Sequence, residues 1–260
     1  TLYSAYMVLL AIECYLSQKQ GHSPRMLSLV AYITKTAAVA NLGAIFGLLA
    51  VRSYWHGVYF PVYMVATAIA SGAAALAIVL WFLQRTGKLE QSSEALISVT
   101  GKIMACAIVA VSVLVGAKLA LSLNSTVYGV REAAQAYLGG PLSWRFWGFE
   151  VFVGMILPLA LLLMSRFRPD RVVAAAALAL TGMFAMRADF VTAGQIVPLK
   201  VVEGVRDFLY HSYSATVTEW AMIGGAFGAA VLLYTISETM FTMDGSSHKQ
   251  TAVSNKSMPG

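Results

Sequence analysis

Charged side chains are scarce in this sequence. Asp, Glu, Lys and Arg together make up 12% of its 260 residues, whereas soluble domains average about 25%. Hydrophobic residues make up 58%, and the mean hydropathy is +0.71. So little charge leaves too little polar surface for a soluble domain, and the composition therefore indicates an integral membrane protein.

Residues that hold metal centres are also few. The two cysteines, Cys14 and Cys106, lie in different hydrophobic stretches, whereas an iron–sulfur cluster usually needs four thiolates. The four histidines lie in predicted loops or in the tail, so the spans lack the histidines that ligate haem in a membrane cytochrome b. The last span also has no lysine that could bind retinal. We therefore expect no metal and no cofactor in this chain, and any redox centre lies in a partner.

Seven hydrophobic stretches reach or approach the roughly 20 residues that cross a bilayer as a helix. They do not alternate between apolar and polar residues as barrel strands do. We predict an all-α polytopic bundle that forms one domain, residues 1–237, followed by a polar cytoplasmic tail, residues 238–260. The predicted spans are residues 1–17, 27–50, 59–84, 97–122, 145–165, 172–197 and 216–237. The connections 123–144 and 198–215 are expected to form short interfacial helices or caps.

The net charge of +6 would suggest a nucleic-acid partner in a soluble protein. Here the basic residues alternate between rich and poor loops, as the positive-inside rule requires of a membrane protein. The rich loops carry Lys19, Arg25, Arg85, Lys88, Arg166, Arg168, Arg171, Lys249 and Lys256. We predict that these loops and the C-terminus are cytoplasmic, that Thr1 lies near the outer side, and that the partner environment is lipid rather than nucleic acid.

Ionisable side chains within spans are costly, so each is a functional candidate. Several polar residues are predicted to share a layer in the outer leaflet, beside the aromatic residues of 54–63. Such a layer supplies the hydrogen-bond donors and the acid or base that a quinone headgroup needs. The alternative is a set of structural ion pairs, with Arg187 bound to Asp189 or Glu150. The candidate quinone-binding residues are Asn41, Arg52, Trp55, His56, Glu150, Arg187 and Gln195.

A second set of ionisable residues is the candidate proton path: Glu13, Lys35, Lys102, Asp189 and Glu219. The first three lie in the inner half of the predicted bundle and could lead protons in from the cytoplasm. The alternative for the lysines is that their stems extend to the interface and carry no function. Lys118 is expected to extend outward in that way.

Four stretches together resemble one family: residues 41–76, residues 146–163, Arg187 with residues 193–199, and residues 218–234. Their order and spacing are similar to those of the NrfD/PsrC family of quinone-interacting membrane subunits. The resemblance implies a bundle of eight to ten spans, of which this chain is the later part, with one to three helices before Thr1. Asn41 falls where relatives place a polar group that faces the quinone, whereas Val39 and Ala40 stand where many relatives have a histidine.

The resemblance also implies a function. It is that of a cofactor-free subunit in a respiratory or photosynthetic oxidoreductase complex of a bacterial or archaeal cytoplasmic membrane. Such a subunit is not the catalytic centre; it exchanges electrons between menaquinone or ubiquinone and an extrinsic, ferredoxin-like iron–sulfur subunit. The catalytic partner would be a molybdopterin enzyme, a nickel–iron hydrogenase or a multihaem cytochrome. The alternative is a proton- or ion-translocating transporter subunit, but the paired broken helices common in transporters are not visible.

Overall fold

The computed structural model describes residues 2–20, 24–87, 94–198, 210–211 and 213–240. Within these ranges every regular element is helical, which confirms the predicted all-α class. The eight helices of the described residues are α1 Leu2–Gln20, α2 Arg25–Gly47, α3 Tyr59–Arg85, α4 Glu94–Leu123, α5 Val130–Leu138, α6 Ser143–Met164, α7 Pro169–Ile196 and α8 Val217–Met240.

Six of these helices are long and apolar enough to cross a membrane: α2, α3, α4, α6, α7 and, over Val217–Ser237, α8. The apolar part of α1 is shorter, Leu2–Ser17. Many large apolar side chains on these helices are exposed, among them Met26, Leu121, Met164 and Phe227. In a bilayer such surfaces face lipid or other helices, so their exposure fits a multi-pass membrane protein.

The chain divides by its internal contacts into two units. The first unit comprises residues 1–81 and 94–213, and α6 and α7 make an extensive contact within it. The second unit comprises residues 82–93 and 214–260 and contains α8. Within the second unit, α8 begins with a capping box: the Thr216 backbone N–H donates to Glu219 Oε2 at 2.6 Å, and the Glu219 N–H donates to Thr216 Oγ1 at 3.3 Å.

The α6–α7 contact is close because both helices place a glycine at it. A Cβ atom built on Gly154 of α6 would lie 2.7 Å from the Gly182 Cα of α7, and one built on Gly182 would meet the backbone of Gly154. Small residues permit this backbone approach, as is common between helices in membranes. The buried alanines Ala175, Ala176 and Ala179 precede Gly182 on α7 and continue the close-packed surface.

The middle of α6, residues Phe146–Ile156, is a π-helix. Pro158 explains part of it, because its missing N–H removes the bond that an α-helix would make to the carbonyl of Gly154. The N–H of Leu157 instead donates to the carbonyl of Phe152, five residues earlier. The wider turn places Phe146, Glu150 and Gly154, spaced by four residues, on the same buried face.

The connection 123–144 contains α5, so the expectation of a short helix there is confirmed. Most of the connection 198–215 lies outside the described residues, as do residues 241–260 of the tail. The tail's predicted cytoplasmic location stays a prediction, and so does the division into one domain and a tail.

Candidate functional site: an aromatic pocket with a lysine and a buried acid

Five helices of the first unit surround a small pocket rich in aromatic side chains. It lies where α3 begins, α4 ends and α6 begins, which is the end predicted to face the outside. Lys118 and Glu150 are its charged side chains. The lining residues are Tyr54, Tyr59, Phe60, Tyr63, Val115, Lys118, Leu119, Tyr137, Phe146, Glu150, Met186 and Phe190.

The start of α3 supplies one wall of this pocket. Tyr59 and Tyr63 are one helical turn apart, and their rings stack with centroids 5.6 Å apart and planes at 19°. Phe60 lines the same pocket, is 1% exposed, and packs its ring 4.5 Å from that of Phe190 on α7. Tyr137 of α5 closes the pocket, with its ring 6.3 Å from that of Tyr54. The aromatic residues of 54–63 therefore line the pocket rather than lying only at the membrane interface.

Lys118 does not extend outward as expected. Its Nζ atom donates a hydrogen bond to the backbone carbonyl of Tyr54 at 3.3 Å. It also lies 5.1 Å from the ring centroid of Tyr54 and 5.3 Å from those of Tyr59 and Phe60. These distances fit cation–π attraction, which holds an ammonium against aromatic faces. The expectation was wrong because depth along a helix does not reveal which face a side chain occupies.

Glu150 belongs to a cluster with Asp189 and Arg145. Glu150 is 3% exposed and Asp189 is fully buried, and their carboxyl groups are direct neighbours. Arg145 Nη2 lies 2.6 Å from Asp189 Oδ1, and the Arg145 side chain is 37% exposed. The contact is an ion pair by distance, but it does not have the angles of a hydrogen bond. One guanidinium therefore faces two carboxyl groups, and Glu150 Oε1 is buried without a hydrogen-bond partner.

This cluster revises one alternative from the sequence. An ion pair between helices does exist at Asp189, but its partner is Arg145 rather than Arg187. Arg187 is exposed on α7, where it faces away from the core of the first unit. Asp189 could be selected from the sequence because it is a carboxylate inside a predicted span. Its partner Arg145 is the first residue of the predicted span 145–165 and belongs to neither candidate set.

Two of the candidate residues hold the α2–α3 loop against α7. Arg52 Nη1 donates to the carbonyl of Val197 at 2.8 Å, and Trp55 Nε1 donates to the carbonyl of Phe190 at 3.1 Å. The indole also lies against Gly194, where any side chain would overlap it. His56 is exposed in the same loop. Arg52 and Trp55 therefore position the loop that carries Tyr54 into the pocket.

The other candidate residues lie apart from the pocket lining. Asn41 is exposed on α2, and Gln195 is half-buried near the end of α7. Among the candidates for a proton path, Glu13 accepts a hydrogen bond from Ser28 Oγ at 2.5 Å, and Glu219 belongs to the cap of α8. Lys35 and Lys102 are exposed on α2 and α4. Of the two candidate sets, only Glu150 is among the pocket's lining residues. Asp189 lies beside Glu150, and Trp55 packs against the lining residue Phe190.

The phenols at the rim of the pocket keep their protons. Burial raises the pKa of Tyr54 above the ordinary tyrosine value. Burial also raises the pKa of Tyr137, helped by the nearby Tyr54. Both hydroxyls are therefore neutral hydrogen-bond donors at neutral pH. Within the described part of the chain, no group of three or more His, Cys, Asp or Glu could hold a metal ion.

The helices and the pocket define a multi-pass membrane protein with an aromatic pocket, containing a lysine and a buried acid, near one end of its helices. The family model described as "Polysulphide reductase, NrfD" matches residues 1–199. This chain belongs to that family.

Two relatives support the assignment at low identity. The chain is 22% identical over 225 residues to a subunit of the selenate reductase of Mesobacillus selenatarsenatis, a match that covers 85% of this chain and 52% of that protein. It is 23% identical over 256 residues to the Hdr-like menaquinol oxidoreductase integral membrane subunit of Archaeoglobus fulgidus, covering 93% and 64%. The chain thus spans between half and two thirds of the length of these curated relatives.

Proposed function

We propose that this chain is a membrane subunit that binds quinone or quinol in the aromatic pocket and exchanges electrons with an extrinsic iron–sulfur subunit. The observation that carries the proposal is the presence of Lys118 and Glu150 in one pocket otherwise lined mostly by aromatic rings. A quinone headgroup combines a flat ring with two oxygens, and sites for such ligands are apolar with a few convergent polar groups. The name of the archaeal relative includes menaquinol, which supports a quinol as the ligand.

The reaction is a two-electron, two-proton exchange. When quinol is oxidised, its two hydroxyl groups lose two protons and the ring loses two electrons, which pass to iron–sulfur clusters of the partner; quinone reduction is the reverse. Glu150 is the buried carboxyl that lines the pocket, and it serves as the acid or base for one headgroup oxygen. Its neighbour Asp189 and the partly exposed Arg145 link that carboxyl to the surface.

The complex would also contain a catalytic subunit, of the molybdopterin, nickel–iron hydrogenase or multihaem cytochrome type. Both relatives carry names that describe them as subunits, which supports a multi-subunit assembly. The distribution of basic residues among the loops supports a cytoplasmic C-terminus and a pocket toward the outer leaflet of a bacterial or archaeal cytoplasmic membrane.

The pocket must widen when a headgroup binds. Its cavity measures about 30 Å³, which is room for one or two water molecules. Lys118 is the side chain best placed to yield space, since it is half-buried and its only hydrogen bond in the described residues is the one to Tyr54. Phe60 and Phe190 lie at the centre of the aromatic wall and are expected to stay in place.

Photolabelling with an azido-quinone in the intact complex tests the site. We expect label on α3 or α4 residues of the pocket, and we expect excess quinone to prevent it. The Glu150→Gln variant should lower quinol-linked electron transfer about 100-fold or more, the size of a typical general acid–base contribution. Glu94→Gln, at an exposed carboxyl at the start of α4, is the matched control. Unchanged turnover and inhibitor affinity in an assembled Glu150→Gln complex would refute the role of Glu150.

The sequence also nominated Asn41 for this site, and it has its own test. Asn41→Leu removes a polar group that is exposed on α2. A lower affinity for the azido-quinone in that variant would extend the site to α2. Unchanged affinity would limit the site to the pocket.

A proton-translocating subunit is the second candidate function, and the buried cluster of Glu150, Asp189 and Arg145 favours it. Acid–base groups inside spans commonly mark proton paths. Two measurements distinguish the two functions: proton movement in the unaltered and Glu150→Gln proteins, and quinone label in the pocket. Proton movement that depends on Glu150, with no label in the pocket, would favour translocation without quinone binding.

A further inference from the structure

Lys118 is a polar side chain of the pocket that neither candidate set of the sequence included. It lies five residues before the last residue of α4, Leu123, about 8 Å from that helix end at 1.5 Å per residue. The side chain could reach the interface from there, as lysines near helix ends commonly do. It instead points into the pocket. Because water is within its reach, some other interaction must favour the inward position.

The contacts of Lys118 leave its ammonium group incompletely satisfied. An ammonium has three N–H donors, and one hydrogen bond of 3.3 Å, to the Tyr54 carbonyl, is formed. The other contacts are the three ring faces, which attract the charge but accept no strong hydrogen bond. No carboxylate forms an ion pair with Lys118 in the described residues. Two donors therefore remain available to a ligand that enters the pocket.

We infer that Lys118 binds the headgroup directly, by turning from the Tyr54 carbonyl to donate a hydrogen bond to one headgroup oxygen. The inference rests on the proposed function. It adds that Lys118 binds the second headgroup oxygen, while Glu150 exchanges a proton with the first. The pocket then has a positive and an acidic polar group, which suits a ring with two oxygens. Because an ammonium binds an oxygen more strongly as negative charge grows on it, Lys118 favours the deprotonated, anionic form of the headgroup over neutral quinol.

The aromatic rings and the Tyr54 carbonyl hold Lys118 at rest, and a ligand oxygen must replace these contacts. The lysine exchanges three ring contacts and one long hydrogen bond for a shorter bond to the ligand oxygen. This movement takes the Lys118 ammonium away from the Tyr59 ring. It thereby enlarges a cavity that is otherwise too small for the ring of the headgroup. Lys118 is thus both the side chain that makes room and the one that holds the ligand.

The test measures binding of the quinol analogue 2-heptyl-4-hydroxyquinoline N-oxide and the kinetics of quinol oxidation in the intact complex. Lys118→Met keeps the apolar stem and removes the ammonium. It should raise the dissociation constant of the analogue about tenfold or more, because a hydrogen bond to a charged group is lost, and it should raise the quinol KM. Lys118→Arg keeps the charge and should give intermediate affinity. Lys19→Met is the control, since Lys19 is an exposed lysine that lies 6.0 Å from one ring, that of Tyr15.

The outcomes separate this inference from the proposed function. Photolabel in the pocket of the unaltered protein, together with unchanged affinity and KM in Lys118→Met, would overturn the role of Lys118 alone. Absence of any label in the pocket would overturn both. If Lys118→Met fails to assemble, Lys118→Gln keeps a hydrogen-bond donor without the charge. Affinity equal to that of the unaltered protein in Lys118→Gln would also overturn the role of the charge.

Discussion

The contact between Gly154 and Gly182 offers a direct test of the packing that positions Glu150. A Cβ atom at Gly154 would lie 2.7 Å from the Gly182 Cα, whereas carbon atoms pack at about 3.5–4.0 Å. A Cβ atom at Gly182 would lie closer still to the Gly154 backbone. Gly182→Ala would therefore force the backbones of α6 and α7 apart by at least about 1 Å, because neither partner is a flexible side chain. We expect Gly182→Ala to lower the free energy of unfolding by about 1–3 kcal/mol, the usual cost of overpacking.

The same separation should also impair the pocket. Glu150 lies four residues before Gly154 on the same face of α6, and Asp189 lies seven residues after Gly182 on α7. Moving the helices apart changes the spacing of the two carboxyl groups. We therefore expect quinol-linked turnover to fall in Gly182→Ala at temperatures where the protein is still folded.

Gly116→Ala is the matched control for this prediction. Gly116 lies within α4, and a Cβ atom there meets nothing within 4 Å. Alanine should stabilise the helix at that site by up to about 1 kcal/mol. Thermal unfolding of the purified protein in nanodiscs, with quinol oxidation measured in parallel, compares the two variants. If Gly182→Ala proved as stable and as active as Gly116→Ala, the contact between Gly154 and Gly182 would neither stabilise the protein nor position Glu150.

Three further changes test other contacts of the two units. Trp55→Phe removes the 3.1 Å hydrogen bond to the carbonyl of Phe190. It should lower the free energy of unfolding by about 1–2 kcal/mol and therefore the unfolding midpoint; an unchanged midpoint would show that this bond does not hold the α2–α3 loop against α7. Arg145→Met leaves two buried carboxyl groups without a counter-charge and should cost about 2 kcal/mol, and Asp189→Asn in the same protein should restore part of it. If the double variant were no more stable than Arg145→Met, the ion pair would not be the cause. Glu219→Gln weakens the cap of α8 and should speed hydrogen exchange of the first-turn amides, because that turn loses about 0.5–1 kcal/mol of stability. Equal exchange rates in the variant and the unaltered protein would show that the cap does not stabilise the turn.

The helical class could be predicted from the sequence because it depends on composition along the chain. Long apolar runs and the bilayer thickness determine that α2, α3, α4, α6 and α7 are helices, whatever their neighbours. The same reasoning selected Glu150, since a carboxylate within a span is costly unless it is paired or used. Both predictions needed only the position of a residue along its own helix.

Which residues meet in the site could not be predicted in the same way. Lys118 and Lys102 lie on the same helix, yet the first points into the pocket and the second is exposed. Arg187 and Asp189 are two residues apart, so they point to different sides of α7, and Asp189 finds its partner on α6. These outcomes depend on how the helices are rotated, which close contacts such as that of Gly154 and Gly182 determine.

The π-helical segment of α6 fixes the rotational register of the site. Each residue of an α-helix turns the chain by about 100°. A deletion of one residue between Glu150 and Pro158 that restored regular α-helical bonding would swing the Glu150 carboxyl by roughly that angle, away from Asp189 and the pocket, while leaving the composition of the span unchanged. The site is therefore sensitive to the number of residues in this segment, independently of which residues they are.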